Sequence, residues 1–167
     1  FPHATQLTKL GFTILPNVDW REEQPLGKAE WIKLYGYLIG KEKESIGIFN
    51  SIKDNYLALK QEMKTVSNRP TVISGNLIGD SWYAPNGKSY NAQLISDAGG
   101  EYVYAKTEGT GSIMRSMEQI LSENGSTKFW INPGFKSKDE ISTYNAKLKL
   151  VPAFQNNDVI VQRMLEF

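Results

Sequence analysis

Residues 41–66 read KEKESIGIFNSIKDNYLALKQEMKTV. The apolar positions Phe49, Ile52, Tyr56, Leu59 and Met63 recur in alternating steps of three and four, the spacing of one buried stripe on an α-helix. No Pro interrupts the run, and its other positions are mostly Lys, Glu, Gln, Asn, Ser or Ala, which tolerate both helix and water. At 1.5 Å per residue the helix would be roughly 35–40 Å long, about the diameter of a small domain. Such a helix can run along one lobe and reach beyond it. An ordinary amphipathic helix packed on a sheet carries the same pattern, so the flanking segments must decide.

Ahead of it, Gly11 to Pro16 is a short apolar run closed by Pro, which predicts a strand. A helix then places Trp31, Leu34, Tyr35 and Leu38 on one face and ends at Gly40. From Arg69 onward strands and helices alternate. Pro70–Gly75, Glu101–Tyr104, Lys128–Ile131 and Asp158–Val161 are predicted strands. Helices are expected from Ser89 to about Ala98, from Ser112 to Asn124, and after Ser137, where Ser137-Lys138-Asp139-Glu140 has the spelling of a capping box. In the second of these helices Ile113, Met117, Ile120 and Leu121 would face inward and Glu118 outward. The alternation predicts an α/β fold, a Rossmann-like parallel sheet behind a long backbone helix. Ligands of such sheets sit at the carboxyl ends of the strands. The loops 75–89, 105–112 and 132–137 are therefore the functional candidates.

The chain has 167 residues and a formal charge of +1, so no strong field draws it to nucleic acid or an anionic membrane. Four Trp, eight Tyr and seven Phe are plentiful for this size, and some rings are expected on a surface or pocket rather than in the core. There is no Cys and a single His, His3, which removes disulfides, thiolate sites and cysteine nucleophiles and argues against a soft-metal site built by this chain alone. No catalytic constellation is present, no resident cofactor is expected, and no apolar run reaches the ~20 residues of a membrane span. The chain opens at Phe1-Pro2-His3 without a Met, and a processed or shortened form of a longer protein is expected.

The stretch Gly79 to Ser89, GDSWYAPNGKS, is long for a strand-to-helix connection. Trp82 and Tyr83, adjacent on that loop, suit stacking on a flat or greasy ligand. The alternative is a loop folded back so that Trp82 plugs the edge of the core. Gly109-Thr110-Gly111-Ser112 has two of the three glycines of a dinucleotide fingerprint, with Met114 at the third position. A flexible loop leading into a helix N-terminus fits it better. Asn132-Pro133-Gly134 closes the third strand with a turn, through which Asn132 or Phe135 can touch a ligand. Asn124-Gly125-Ser126 has the spelling of a glycosylation acceptor and reads better as a helix-ending turn.

PLGKAEWI at 25–32, the long helix, RPTV at 69–72, WYAPNGKS at 82–89, DAGG at 97–100 and FWIN at 129–132 stand in an order that resembles the periplasmic substrate-binding proteins of ABC importers for ferric siderophores, haem and cobalamin. More narrowly it resembles the iron-transport members of Bacteroides-like bacteria. The resemblance covers nearly the whole chain. It implies two α/β lobes joined by one rigid helix, with the ligand in the cleft between them. Residues 1–40 would be a remnant of the amino-terminal lobe, 41–66 the connecting helix and 67–167 the carboxy-terminal lobe. Most of the first lobe and the closing helices after Phe167 would be lacking.

By the same resemblance Trp82 and Tyr83 would line the cleft, with Lys106, Ser112 and Asn132 as further candidates. Glu118 would dock on the permease, with Glu108 and Glu123 as fallbacks. The expected cargo is a metal chelate, and the partners are an ABC permease and its ATPase. The place is the periplasm, peripheral to the membrane, with a lipid anchor in the full-length protein. A nucleotide-using α/β enzyme and a non-transport interaction module of the same fold are the competing readings.

Overall fold

In the computed structural model, which describes residues 3–161, the amino-terminal part holds helix α1 (Ala4–Lys9), a 3₁₀ turn at Asp19–Arg21 and helix α2 (Pro25–Leu38). The outer ends of the expected segments 1–40 and 67–167 lie outside the described residues. The strand expected at 11–16 does not form. That run pairs with no neighbour among the described residues, and Phe12 and Leu15 stay exposed. A strand needs a partner for its backbone groups, and apolar sequence alone does not provide one.

Pro25 opens α2 at the position where its missing N–H costs nothing. Gly40 closes it in the left-handed region, φ +69°. The Lys41 N–H reaches back to the Gly36 carbonyl at 2.7 Å and the Gly40 N–H to Tyr37 at 3.3 Å, the paired bonds of a Schellman stop. The chain then reverses into α3 (Glu42–Met63), which runs unbroken for 22 residues, roughly 33 Å. The predicted long helix is present. Its buried side is narrower than the predicted stripe: Phe49 is buried and Tyr56 and Met63 half-buried, while Ile52 and Leu59 are 41% and 60% exposed. The described elements that pack on it, α2 and the later helix α4 (Tyr90–Asp97), leave Ile46, Ile48 and Leu57 uncovered as well.

Four parallel strands, β1 (Thr71–Ser74), β4 (Glu101–Tyr102), β6 (Phe129–Ile131) and β7 (Val159–Ile160), pair in the order β4-β1-β6-β7. Each of the four falls where a strand was predicted. Ser89 caps α4, its hydroxyl accepting from the Ala92 N–H at 3.2 Å. Ser137 caps α6 (Lys138–Tyr144) in the same way. The Glu140 carboxylate there accepts from the Lys136 N–H at 2.9 Å, one residue outside the cap, so the predicted box closes only in half. The full box forms elsewhere, between Ser116 and Gln119 at the start of α5 (Met117–Glu123).

Two further segments differ from expectation. Residues 75–89 contain a hairpin, β2 (Asn76–Ile78) and β3 (Ser81–Pro85), turned on Gly79-Asp80. Residues 112–116 form strand β5 (Ser112–Ser116) on β3, not the first half of a helix. Ile113 packs against the core from the strand, the inward facing also expected of it in a helix, so its apolar character could not separate the two. The core between the sheets and helices is built on Trp82, Trp130, Ile73, Ile120, Ile141 and Leu148, all at most 1% exposed.

Candidate functional site

The parallel sheet reverses direction of growth between β1 and β6: the chain lays down β1, then β4 on one side, then β6 and β7 on the other. A crevice opens at the carboxyl ends of strands flanking such a reversal. Here those ends are Gly75 and Asn132. Gly75 has φ +116°, and a Cβ on it would lie 2.2 Å from the Tyr83 carbonyl oxygen, so only glycine lets β3 cross so close. The Trp130 indole N–H donates to the Gly75 carbonyl at 2.9 Å. Asn132 takes φ 51°, a left-handed turn that Asn tolerates. Gly134 backs onto Asn76, whose Nδ2 would be 2.7 Å from a Cβ at that glycine. The turn after β6 and the start of the hairpin are thus in contact.

From this point the antiparallel sheet β2-β3-β5 extends, with two unlike faces. Leu77, Trp82 and Ala84 point inward and are almost wholly buried. Side chains alternate along a strand, so their neighbours face out. Tyr83 stands opposite Asn76 on β2 and opposite Met114 on β5. Tyr83 is 38% exposed and Met114 61%. Ser112 and Ser116, two residues either side of Met114, share that outer face.

Of the cleft residues expected from the sequence, Tyr83 and Ser112 stand on this face, and Asn132 on the turn beside it. Trp82 does not: it is fully buried, its indole 5.0 Å from that of Trp130 and its N–H directed at the Ser74 carbonyl at 3.4 Å. The period of two in β3 places adjacent aromatics on opposite faces, and the hairpin, invisible when 75–89 is read as a loop, converts one of the pair into core. Lys106 is separate, lining a cavity of about 570 Å³ along the free edge of β4 with Thr71, Tyr104, Arg115 and Glu123. Asn76 and Met114 were not foreseen. Gly79-Asp80 between two short alternating runs was the available signal, since such dipeptides turn hairpins.

Glu118 lies exposed in the first turn of α5. Its own backbone N–H at the helix start, the Ser116 hydroxyl and the charge of Lys147 lower its pKa from the ordinary 4.5. The fallback acids are engaged: Glu108 pairs with Lys88 at 2.5 Å, and Glu123 lies 3.5 Å from Arg115 Nε while accepting from the Tyr104 hydroxyl at 3.2 Å. Gly109 to Ser112 enters a strand, not a helix, and the carbonyls of Gly109 and Gly111 accept from Lys88 and Asn86 N–H groups. The loop is zipped to its neighbour and offers no phosphate cradle. Asn124 is buried, its amide donating to the Tyr104 hydroxyl and the Ile120 carbonyl, a structural role as expected.

A polar cluster ties α3 to α4. The Tyr56 hydroxyl and the Gln93 amide donate to the Asp97 carboxylate, and the Lys60 ammonium stands 3.0 Å away. Burial opposes ionisation of Asp97, but these donors outweigh it and its pKa is lowered from the ordinary 3.8. The Tyr56 phenol is pushed up by burial and by the carboxylate beside it. Among the described residues no three His, Cys, Asp or Glu side chains come together to hold a metal ion, and no helix is long and apolar enough to cross a membrane.

A family model described as periplasmic binding protein matches residues 11–163. An uncharacterized lipoprotein of Methanocaldococcus jannaschii is 28% identical over 128 residues, 75% of this chain and 30% of its own length. Among solved structures, the periplasmic heme-binding protein RhuT from Roseiflexus sp. RS-1 superposes with a TM-score of 0.71 at 15% identity, covering 94% of this chain and 60% of that one. The siderophore-binding protein FhuD of Vibrio cholerae, bound to Fe3+–Desferal, gives 0.65 at 15% identity, covering 96% and 62%. These likenesses establish the fold. The chain spans 30% and 33% of the two curated relatives.

Proposed function

The chain belongs to the periplasmic binding protein family, and from that premise we propose that it is one lobe, with the connecting helix, of a receptor that captures an iron chelate for an ABC importer. The observation that carries the reading is the outer face Asn76–Tyr83–Met114, set at the carboxyl ends of β1 and β6. It is an open platform with an aromatic ring and a thioether, suited to the flat or greasy surface of a chelate. RhuT and FhuD, which share the fold, bind heme and ferric Desferal. The family is one of binding proteins, and we assign no catalysis to this chain.

The uncovered apolar side of α3, with Ile46, Ile48, Ile52 and Leu59 exposed, is what a second lobe would pack against. Residues 1–40 are then the end of that lobe, 41–66 the connector and 67–167 the second lobe. A stiff connector permits modest closure rather than a wide swing. Glu118 is the docking contact for cationic residues of the permease, whose ATPase drives release. The receptor works outside the cytoplasm, in the periplasm or cell envelope, held near the membrane by a lipid anchor.

Intrinsic fluorescence of the full-length protein, titrated with ferric siderophores and haemin, tests the proposal. Saturable quenching by at least one chelate, weakened by Tyr83→Ala, is expected. Absence of binding to every chelate overturns the receptor reading and leaves an interaction module.

A further inference from the structure

We infer that this lobe selects a chelate without net charge, such as a ferric tris-hydroxamate, over an anionic one; the inference rests on the receptor reading above. The outer face of the small sheet carries Asn76 and Ile78 from β2, Tyr83 flanked by Ser81 and Pro85 from β3, and Ser112, Met114 and Ser116 from β5. None is ionised near neutral pH. Among the described residues, the cations set around it are turned away, already matched, or placed in a charge-balanced turn.

Arg115 lies between Met114 and Ser116 but alternates to the inner side, opposite Trp82. Its guanidinium sits 5.5 Å from the centroid of the Tyr104 ring and its Nε 3.5 Å from the Glu123 carboxylate. Lys88 is held by Glu108 at 2.5 Å. Lys106 opens onto the cavity beside β4. On the turn after β6, Lys138 donates to the Phe154 carbonyl and to Asn157. That turn is balanced overall, Lys136 and Lys138 standing against Asp139 and Glu140.

Two carboxylates flank the face. Asp80 turns the hairpin and Glu118 begins α5, both at the end of the sheet where Ser81 pairs with Ser116. Among the described residues, the cation that acts on them there, Lys147, is directed at Glu118. Three singly charged hydroxamates cancel the charge of a ferric ion, whereas three doubly charged catecholates leave a trianion. Laid on this face, the trianion would lose water without gaining a counter-charge and would lie close to two carboxylates. A neutral complex gives up only apolar and weakly polar hydration. Tyr83, Met114 and Ile78 then contribute contact area, and the Asn76 amide a donor for chelate oxygens.

The test is a fluorescence or calorimetric titration of the full-length protein with a ferric trihydroxamate and a ferric tricatecholate under one set of conditions. The trihydroxamate is expected to bind at least about tenfold more tightly. Equal or tighter binding of the tricatecholate overturns the inference and leaves the receptor reading intact. Failure of both to bind, with haemin also failing, overturns both.

Met114→Lys provides the second arm. Met114 is 61% exposed, so the substitution is compatible with folding, which circular dichroism verifies. A lysine at the centre of the face should raise tricatecholate affinity several-fold, roughly tenfold at low salt, with the gain fading as salt is added. No gain in a folded variant places the chelate off this face and overturns the inference.

Discussion

The Trp82 indole packs against that of Trp130, ring centroids 5.0 Å apart and planes tilted by 42°, with neither ring exposed to solvent. The next residue, Tyr83, faces the opposite way and is 38% exposed. One peptide bond therefore separates a core residue from a surface residue. Trp82→Ala should cost about 3–5 kcal/mol of stability, as removal of a large buried aromatic does. Tyr83→Ala should cost under about 1 kcal/mol while weakening chelate binding. Urea denaturation and ligand titration of the two variants separate the roles. A Trp82 variant that keeps its stability yet loses binding would contradict the arrangement.

Asp97 links stability to pH. Its carboxyl titrates below its ordinary 3.8 in the folded protein, so the stabilisation it confers is complete above that value and is lost as pH falls through the lowered one. Tyr56 acts at the other limb: its pKa is raised from 10.0, so its contribution is present below pH 10 and is lost above it. Urea midpoints of wild type and Asp97→Asn should differ clearly at pH 7, and the gap should narrow steadily as pH falls below 3.8. A gap that does not change with pH would mean that the carboxylate's charge is not what ties α3 to α4.

Gly36 brings α2 against α3. A Cβ there would lie 2.1 Å from Ser45 Oγ and 2.4 Å from Ser45 Cβ, and Ser45 is itself buried. Gly36→Ala is expected to destabilise by about 1–3 kcal/mol, the cost of overpacking. Pairing it with Ser45→Gly should recover most of that loss, which a double-mutant cycle measures.

Glu118 is free of ion pairs among the described residues and lies wholly in solvent. Glu118→Gln should leave affinity for an uncharged chelate unchanged and lower uptake of that chelate by an assembled transporter several-fold, about tenfold at low salt, because docking charges act mainly on encounter. Unaltered uptake would remove Glu118 from the docking surface.

The elements legible in the sequence are those whose signals are local. The long helix declares itself through the spacing of Phe49, Tyr56 and Met63. The four parallel strands show as short apolar runs, and Ser89, Ser137 and Gly40 mark helix ends by their own hydrogen bonds and backbone angles. Non-local pairing was not legible. Residues 112–116 became a strand because β3 offers an open edge, and 75–89 became a hairpin because β5 and the core cover it. Tertiary structure alone decided which of Trp82 and Tyr83 faces outward, since facing is set by register, and register by partners distant in sequence. It likewise brought Gly134 against Asn76 and turned Arg115 away. The composition contained every residue of the face; only pairing between strands made it a face, and left it uncharged.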